Sequence, residues 1–148
     1  MTNHMLGIVG LVFSMMGGPH GAERCLRYAP ATVQVAGTLA RHTFYGAPGF
    51  GEDPRHDAKE TGFYLELAAP VCMLPGSDDN DVARTGIRRL QLLLDADGYA
   101  RLRPFIGKRI ALRGTVSSAI TGHHHAPVLL AVAKPVTAAT LDGQASPQ

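Results

Sequence analysis

Apolar residues recur at every second position in five separate runs of this chain, the period of a half-buried β-strand. In residues 32–44, Val33, Val35, Gly37 and Leu39 alternate with Thr32, Gln34, Ala36 and Thr38. In residues 62–73, Phe63, Leu65 and Leu67 oppose Tyr64, Glu66 and Ala68, and the run closes on Pro70-Val71-Cys72. Leu90, Leu92 and Leu94 share one face of residues 87–94, with Arg89 and Gln91 on the other. Ile110, Leu112, Gly114 and Val116 alternate with Arg109, Ala111, Arg113 and Thr115, and Val128, Leu130 and Val132 with Leu129, Ala131 and Ala133.

The connections are read from their turn residues. Gly46, Pro48, Gly49, Gly51 and Pro54, followed by mixed charges, make residues 46–61 a long surface loop. Residues 75–81 form a polar turn, and residues 117–127 a turn carrying three histidines. After a turn at 95–98, Tyr99, Leu102, Phe105 and Ile106 stand at near-helical spacing, with Asp97 as the expected cap. Pro104 keeps that helix short.

Three strands, a short helix and two strands is the layout of the oligonucleotide/oligosaccharide-binding barrel, or OB-fold. The fold class expected is therefore all-β with one short helix, a small five-stranded OB-like barrel. Gly37 and Gly114 suit the corners where strands of such a barrel bend. An immunoglobulin-like sandwich is the structural rival and calls for more strands.

The first 22 residues differ from the rest: 5–16 are almost wholly apolar, and no Lys, Arg, Asp or Glu precedes Glu23. A stretch of about 12 apolar residues is short for a membrane span, which needs roughly 20. Gly21 and Ala22 supply a cleavage site, so residues 1–22 are expected to be a signal peptide. The n-region has His4 but no Lys or Arg, which leaves a buried N-terminal helix as the alternative. Residues 23–134 then form the barrel domain, and the small, polar residues 135–148 a flexible tail. No small-residue run precedes Cys25, so a lipid anchor is not expected, and export places the mature protein in the periplasm or outside the cell.

Both cysteines of the chain, Cys25 and Cys72, lie in the mature part, where a disulfide is the leading expectation and two buried thiols the alternative. The net charge of +2 arises from 14 basic and 12 acidic residues with no run of like sign, which gives no electrostatic reason to expect nucleic acid.

Candidate chemistry concentrates in Thr121-Gly122-His123-His124-His125-Ala126-Pro127. If this hairpin is extended, His123 and His125 point to one side and His124 to the other, so two imidazoles could share zinc, copper or nickel. His42, His56, Asp53 and Asp57 are the candidate further ligands, because the first and last loops of an OB barrel lie near one pole. The alternative is a turn whose imidazoles cap backbone groups or pack on aromatic rings. Tyr45 and Phe50 flank the glycines of the first loop, either as an exposed contact surface or folded over the barrel mouth. There is no G-x-S-x-G, and the loop carboxylates Glu52, Asp53, Asp78 and Asp79 suit solvated turns, so no catalytic set is expected.

Cys25-Leu26-Arg27-Tyr28, Gly37-Thr38-Leu39, Pro70-Val71-Cys72, Ile106-Gly107-Lys108-Arg109 and above all Thr121 to Leu130 resemble a family of short exported bacterial proteins of unknown function. Its most specific segment is T-G-H-H-H-x-P-V-L-L, in which Ala126 stands where the family is expected to carry Thr. The resemblance implies an exported domain and supplies no activity. The expectation is a non-enzymatic binding module without cofactor, meeting an envelope protein such as a cell-wall hydrolase, or a glycan, through Tyr45, Phe50, His123, His124 and His125. A metal-binding domain is the second expectation.

Overall fold

The computed structural model describes residues 23–141. Seven strands form one sheet: β1 (Arg24–Leu26), β2 (Thr32–Tyr45), β3 (Lys59–Met73), β4 (Arg84–Leu93), β5 (Arg109–Ser118), β6 (Val128–Val132) and β7 (Ala139–Thr140). One helix, α1 (Ala96–Leu102), leads into a 3-10 turn at Arg103–Phe105. β2 pairs antiparallel with β3 and with β5, β5 with β6, and β3 with β4. Parallel pairing of β4 with β6 closes the barrel. The five strands expected from the alternation are the five that close it, and β1 and β7 are additions at its edges.

The inward set of each strand forms the core: Leu39, Leu65, Leu90, Ile110, Val116, Val128 and Leu130 are fully buried. Leu102 of α1 joins the same cluster, and Tyr99 packs against it, so two residues one turn apart seat the helix on the barrel. Two glycines permit closure. A Cβ on Gly37 would lie 2.2 Å from the Glu66 carbonyl oxygen, and one on Gly114 would lie 2.1 Å from that of Ala131. Neither backbone oxygen can yield without opening a strand pair.

The disulfide expected between Cys25 and Cys72 is present. The two residues sit opposite each other in the parallel β1–β3 pairing, with Cα atoms 4.2 Å apart. The three residues of β1 are held at the sheet edge by the staple, by the Leu74 N–H on the Leu26 carbonyl at 2.9 Å and by burial of Leu26.

Four local expectations are corrected. β3 begins at Lys59, so the loop ends at 58 rather than 61. β4 begins at Arg84, three residues before the apolar alternation starts. Asp95, not Asp97, caps the helix, accepting the Gly98 N–H at 2.8 Å; Asp97 pairs instead with Arg101 one turn on, at 2.7 Å. The chain after Pro135 does not fray at once, because Val136 is buried and Ala139–Thr140 pairs with β5. The signal-peptide segment, residues 1–22, and residues 142–148 of the tail lie outside the described residues.

Candidate functional site

The outward positions of β2, β3 and β4 meet the two loops at one pole of the barrel. Because strand neighbours share a face, Phe44 of β2 stands opposite Glu60 of β3, and Tyr64 and Glu66 stand opposite Gln91 and Arg89 of β4. This face is polar and aromatic, where the other face of the same strands is aliphatic over the barrel at Leu39, Leu65 and Leu90.

Loop 46–58 is shaped by Asp57. Its carboxylate accepts the backbone N–H groups of Gly49 and Gly51 at 2.7 Å each and of Asp53 at 3.3 Å. Burial pushes the Asp57 carboxyl up, but these three donors outweigh it and hold it below the ordinary aspartate range. The turn so formed puts Phe50 at φ 50° and Gly51 at φ 104°, both left-handed. Phe50 is thereby carried outward, 44% exposed, with its ring over Gly122, where a Cβ would come within 2.8 Å of it. Gly122 leaves the space that the ring occupies.

The hairpin 119–127 is closed by a bond from the Ala119 N–H to the Pro127 carbonyl. His124 serves the turn: its Nδ1 accepts from the Ile120 and Thr121 N–H groups at 3.0 and 3.3 Å. The hairpin is not extended at the histidines, since residues 121–124 form a turn closed by the His124 N–H on the Thr121 carbonyl, and it is Glu60 that brings His123 and His125 together. Both reach Glu60, which accepts from His123 Nδ1 at 2.5 Å on one oxygen and from His125 Nε2 at 2.8 Å on the other. The His125 N–H, ahead of that of His123, holds the Glu60 carboxyl below the ordinary glutamate range against the opposing effect of burial. Gln91 completes the clamp, accepting from the His125 backbone N–H at 2.6 Å and donating to the His123 carbonyl at 3.2 Å.

A line of rings continues from this clamp across the sheet. His125 stacks on Phe44, with centroids 4.6 Å apart and planes within 10°. Phe44 meets Tyr64 edge-on at 5.5 Å, and Tyr64 meets His42 at 5.3 Å. The Arg89 guanidinium lies 5.9 Å from the Tyr64 centroid, and Arg89 and His42 both donate to Glu66 at 2.7 Å. Burial raises the Tyr64 phenol to about 12.

The structure thus joins Phe50, His123 and His125 of the expected site, and separates the rest. Phe50 meets His123 edge-on at 5.6 Å. Tyr45, one residue on from Phe44, points to the opposite face and lies under Lys59. His56 pairs with Asp53 inside the loop at 2.6 Å, and His42 belongs to Glu66. Among the described residues no group of three or more His, Cys, Asp or Glu could hold a metal ion, and of the expected ligands His42 and His56 stand apart from His123 and His125. Glu60 and Gln91 are the functional residues that inspection of the sequence overlooks. Glu60 stands in the same alternation as Tyr64 and Glu66, but Gly62 interrupts it and the charges before it resemble loop.

Residues 89–135 match a family described as a domain of unknown function (DUF4431). The match, less than half of the 148-residue chain, runs from Arg89 in β4 through α1, β5 and the histidine hairpin to the end of β6. It is consistent with the uncharacterised family expected above and leaves out Glu60 and loop 46–58. No curated protein and no solved structure matches the chain.

Proposed function

We propose that the protein is an exported, non-enzymatic binding module of the bacterial envelope, which meets its partner through the pole made by loop 46–58 and hairpin 119–127. The observation that carries this reading is the Glu60 clamp: one carboxylate on β3 binds two imidazoles of the hairpin more than 60 residues away in sequence, and Phe50 of loop 46–58 meets the clamped His123, so loop and hairpin share one surface. A surface ordered before its partner arrives loses less conformational entropy on association. Phe50 is the anchor of that surface, an exposed ring presented by the Asp57 turn and lying over Gly122. Aromatic rings beside carboxylate, imidazole and amide groups suit an envelope protein, such as a cell-wall hydrolase, or a glycan.

The test is capture on immobilised protein, in parallel from envelope extracts and from purified sacculi, with Phe50→Ala and His123→Ala as variants whose fold is checked by circular dichroism. The native protein retains one of the two materials and both variants release it. Equal capture by native protein and variants overturns the assignment of this pole.

A further inference from the structure

A second site lies between β2, β3 and the helical segment, on the side of the sheet away from the histidines. It is a groove of about 480 Å³ lined by Arg41, Thr61, Phe63, Tyr99, Arg103 and Ile106. The walls come from distant parts of the chain and are held in register by the backbone. Arg41 stands opposite Phe63 in the β2–β3 ladder. The Gly107 N–H donates to the Leu39 carbonyl at 2.8 Å, and the Leu39 N–H to the Lys108 carbonyl at 3.0 Å. Those two bonds tie the end of the 3-10 turn to β2 and bring Arg103 and Ile106 beside Arg41.

The charge of this groove is unbalanced. None of its six residues is acidic, and among the described residues neither Arg41 nor Arg103 forms a salt bridge. Other arginines of the sheet and helix do find carboxylates: Arg89 has Glu66 and Arg101 has Asp97, each at 2.7 Å. Tyr99 adds a phenol to the two guanidiniums, and the Thr61 hydroxyl at the edge of the groove is shared with Thr43 at 2.7 Å. The remaining wall is apolar, with buried Phe63 edge-on to Tyr99 at 4.8 Å and Ile106 39% exposed at the rim.

From this juxtaposition we infer that the groove binds a phosphomonoester carried on a ring. Guanidinium forks match phosphate oxygens, two cations without carboxylates match a dianion, and the Phe63–Tyr99–Ile106 wall receives the ring. A carboxylate, with a single charge, satisfies only half of the site. The inference is independent of the binding pole proposed above, since no residue is shared.

Phenyl phosphate is the probe, titrated into the full chain and followed by amide chemical shifts at about pH 7.5, where a phosphomonoester is mostly dianionic. The expected result is saturable binding with shifts at Thr61, Tyr99 and Arg103, weakened at least about tenfold by Arg41→Gln and by Arg103→Gln. Arg113→Gln, an exposed arginine on β5 outside the groove, leaves the affinity unchanged. Absence of saturation overturns the inference, as do equally tight binding of benzoate and an equal loss in Arg113→Gln.

Discussion

At the scale of single residues, Glu60 organises the histidine pole, because one carboxylate has two acceptor oxygens and each finds a different imidazole N–H. The contact with His125 matters more for stability, since that side chain is 13% exposed against 63% for His123. Glu60→Gln offers one acceptor and presents an amide N–H to the other imidazole donor. The expected loss is about 1 kcal/mol of unfolding free energy. The pH dependence follows from the direction of the Glu60 shift. A carboxyl held below its ordinary value of 4.5 contributes stability that is complete above that value and is lost as pH falls through the folded one. Urea unfolding of native protein and Glu60→Gln should therefore give a difference at about pH 5 that closes as the pH falls below 4.5. A difference that persists undiminished in acid would assign the effect to packing of the Glu60 side chain instead of to its charge.

Among the elements, alternation identified the strands wherever one face met the core and the other met water. It failed at the ends for definite reasons. β1 and β7, with three and two residues, are shorter than the period needs in order to be recognised. The first residues of β3 extend past the barrel, so Lys59, Glu60 and Thr61 face solvent or the loops and lack the inward apolar partners that mark a strand. The helix start shifted because Asp95 and Asp97 both satisfy capping preferences, and only the position of Leu102 against the core decides between them. Loop 46–58 is an element in its own right, ordered by Asp57 rather than by apolar burial. Asp57→Asn replaces one acceptor oxygen with a donor. It should raise hydrogen exchange severalfold at the Gly49 and Gly51 amides while leaving the β2 and β5 ladders unchanged, as read by amide exchange NMR. Equal protection in the variant would place the loop's order in its backbone bonds, Gly46 N–H to Ala58 carbonyl and Ala58 N–H to Ala47 carbonyl.

For the whole molecule, closure and stapling are separate devices. Closure rests on the β4–β6 pairing and on two glycines where a backbone oxygen occupies the space of a Cβ. The staple joins residues 47 apart, which on chain-entropy grounds contributes about 4 kcal/mol. Removing it by Cys25→Ser with Cys72→Ser should lower unfolding free energy by about 2–4 kcal/mol and leave the five-stranded barrel folded, checked by urea titration and amide spectra. Unfolding of the barrel at neutral pH without denaturant would mean that β1 is integral to the core. The sequence by itself determined the barrel class, the order of its five strands and the partner of Cys25, because period, turn residues and a single pair of cysteines are local or countable properties. Only the tertiary structure decided what the histidines do. A hydrogen bond forms where register and loop closure bring donor to acceptor, and the acceptor for His123 and His125 lies on β3, where nothing in the hairpin's own sequence could locate it.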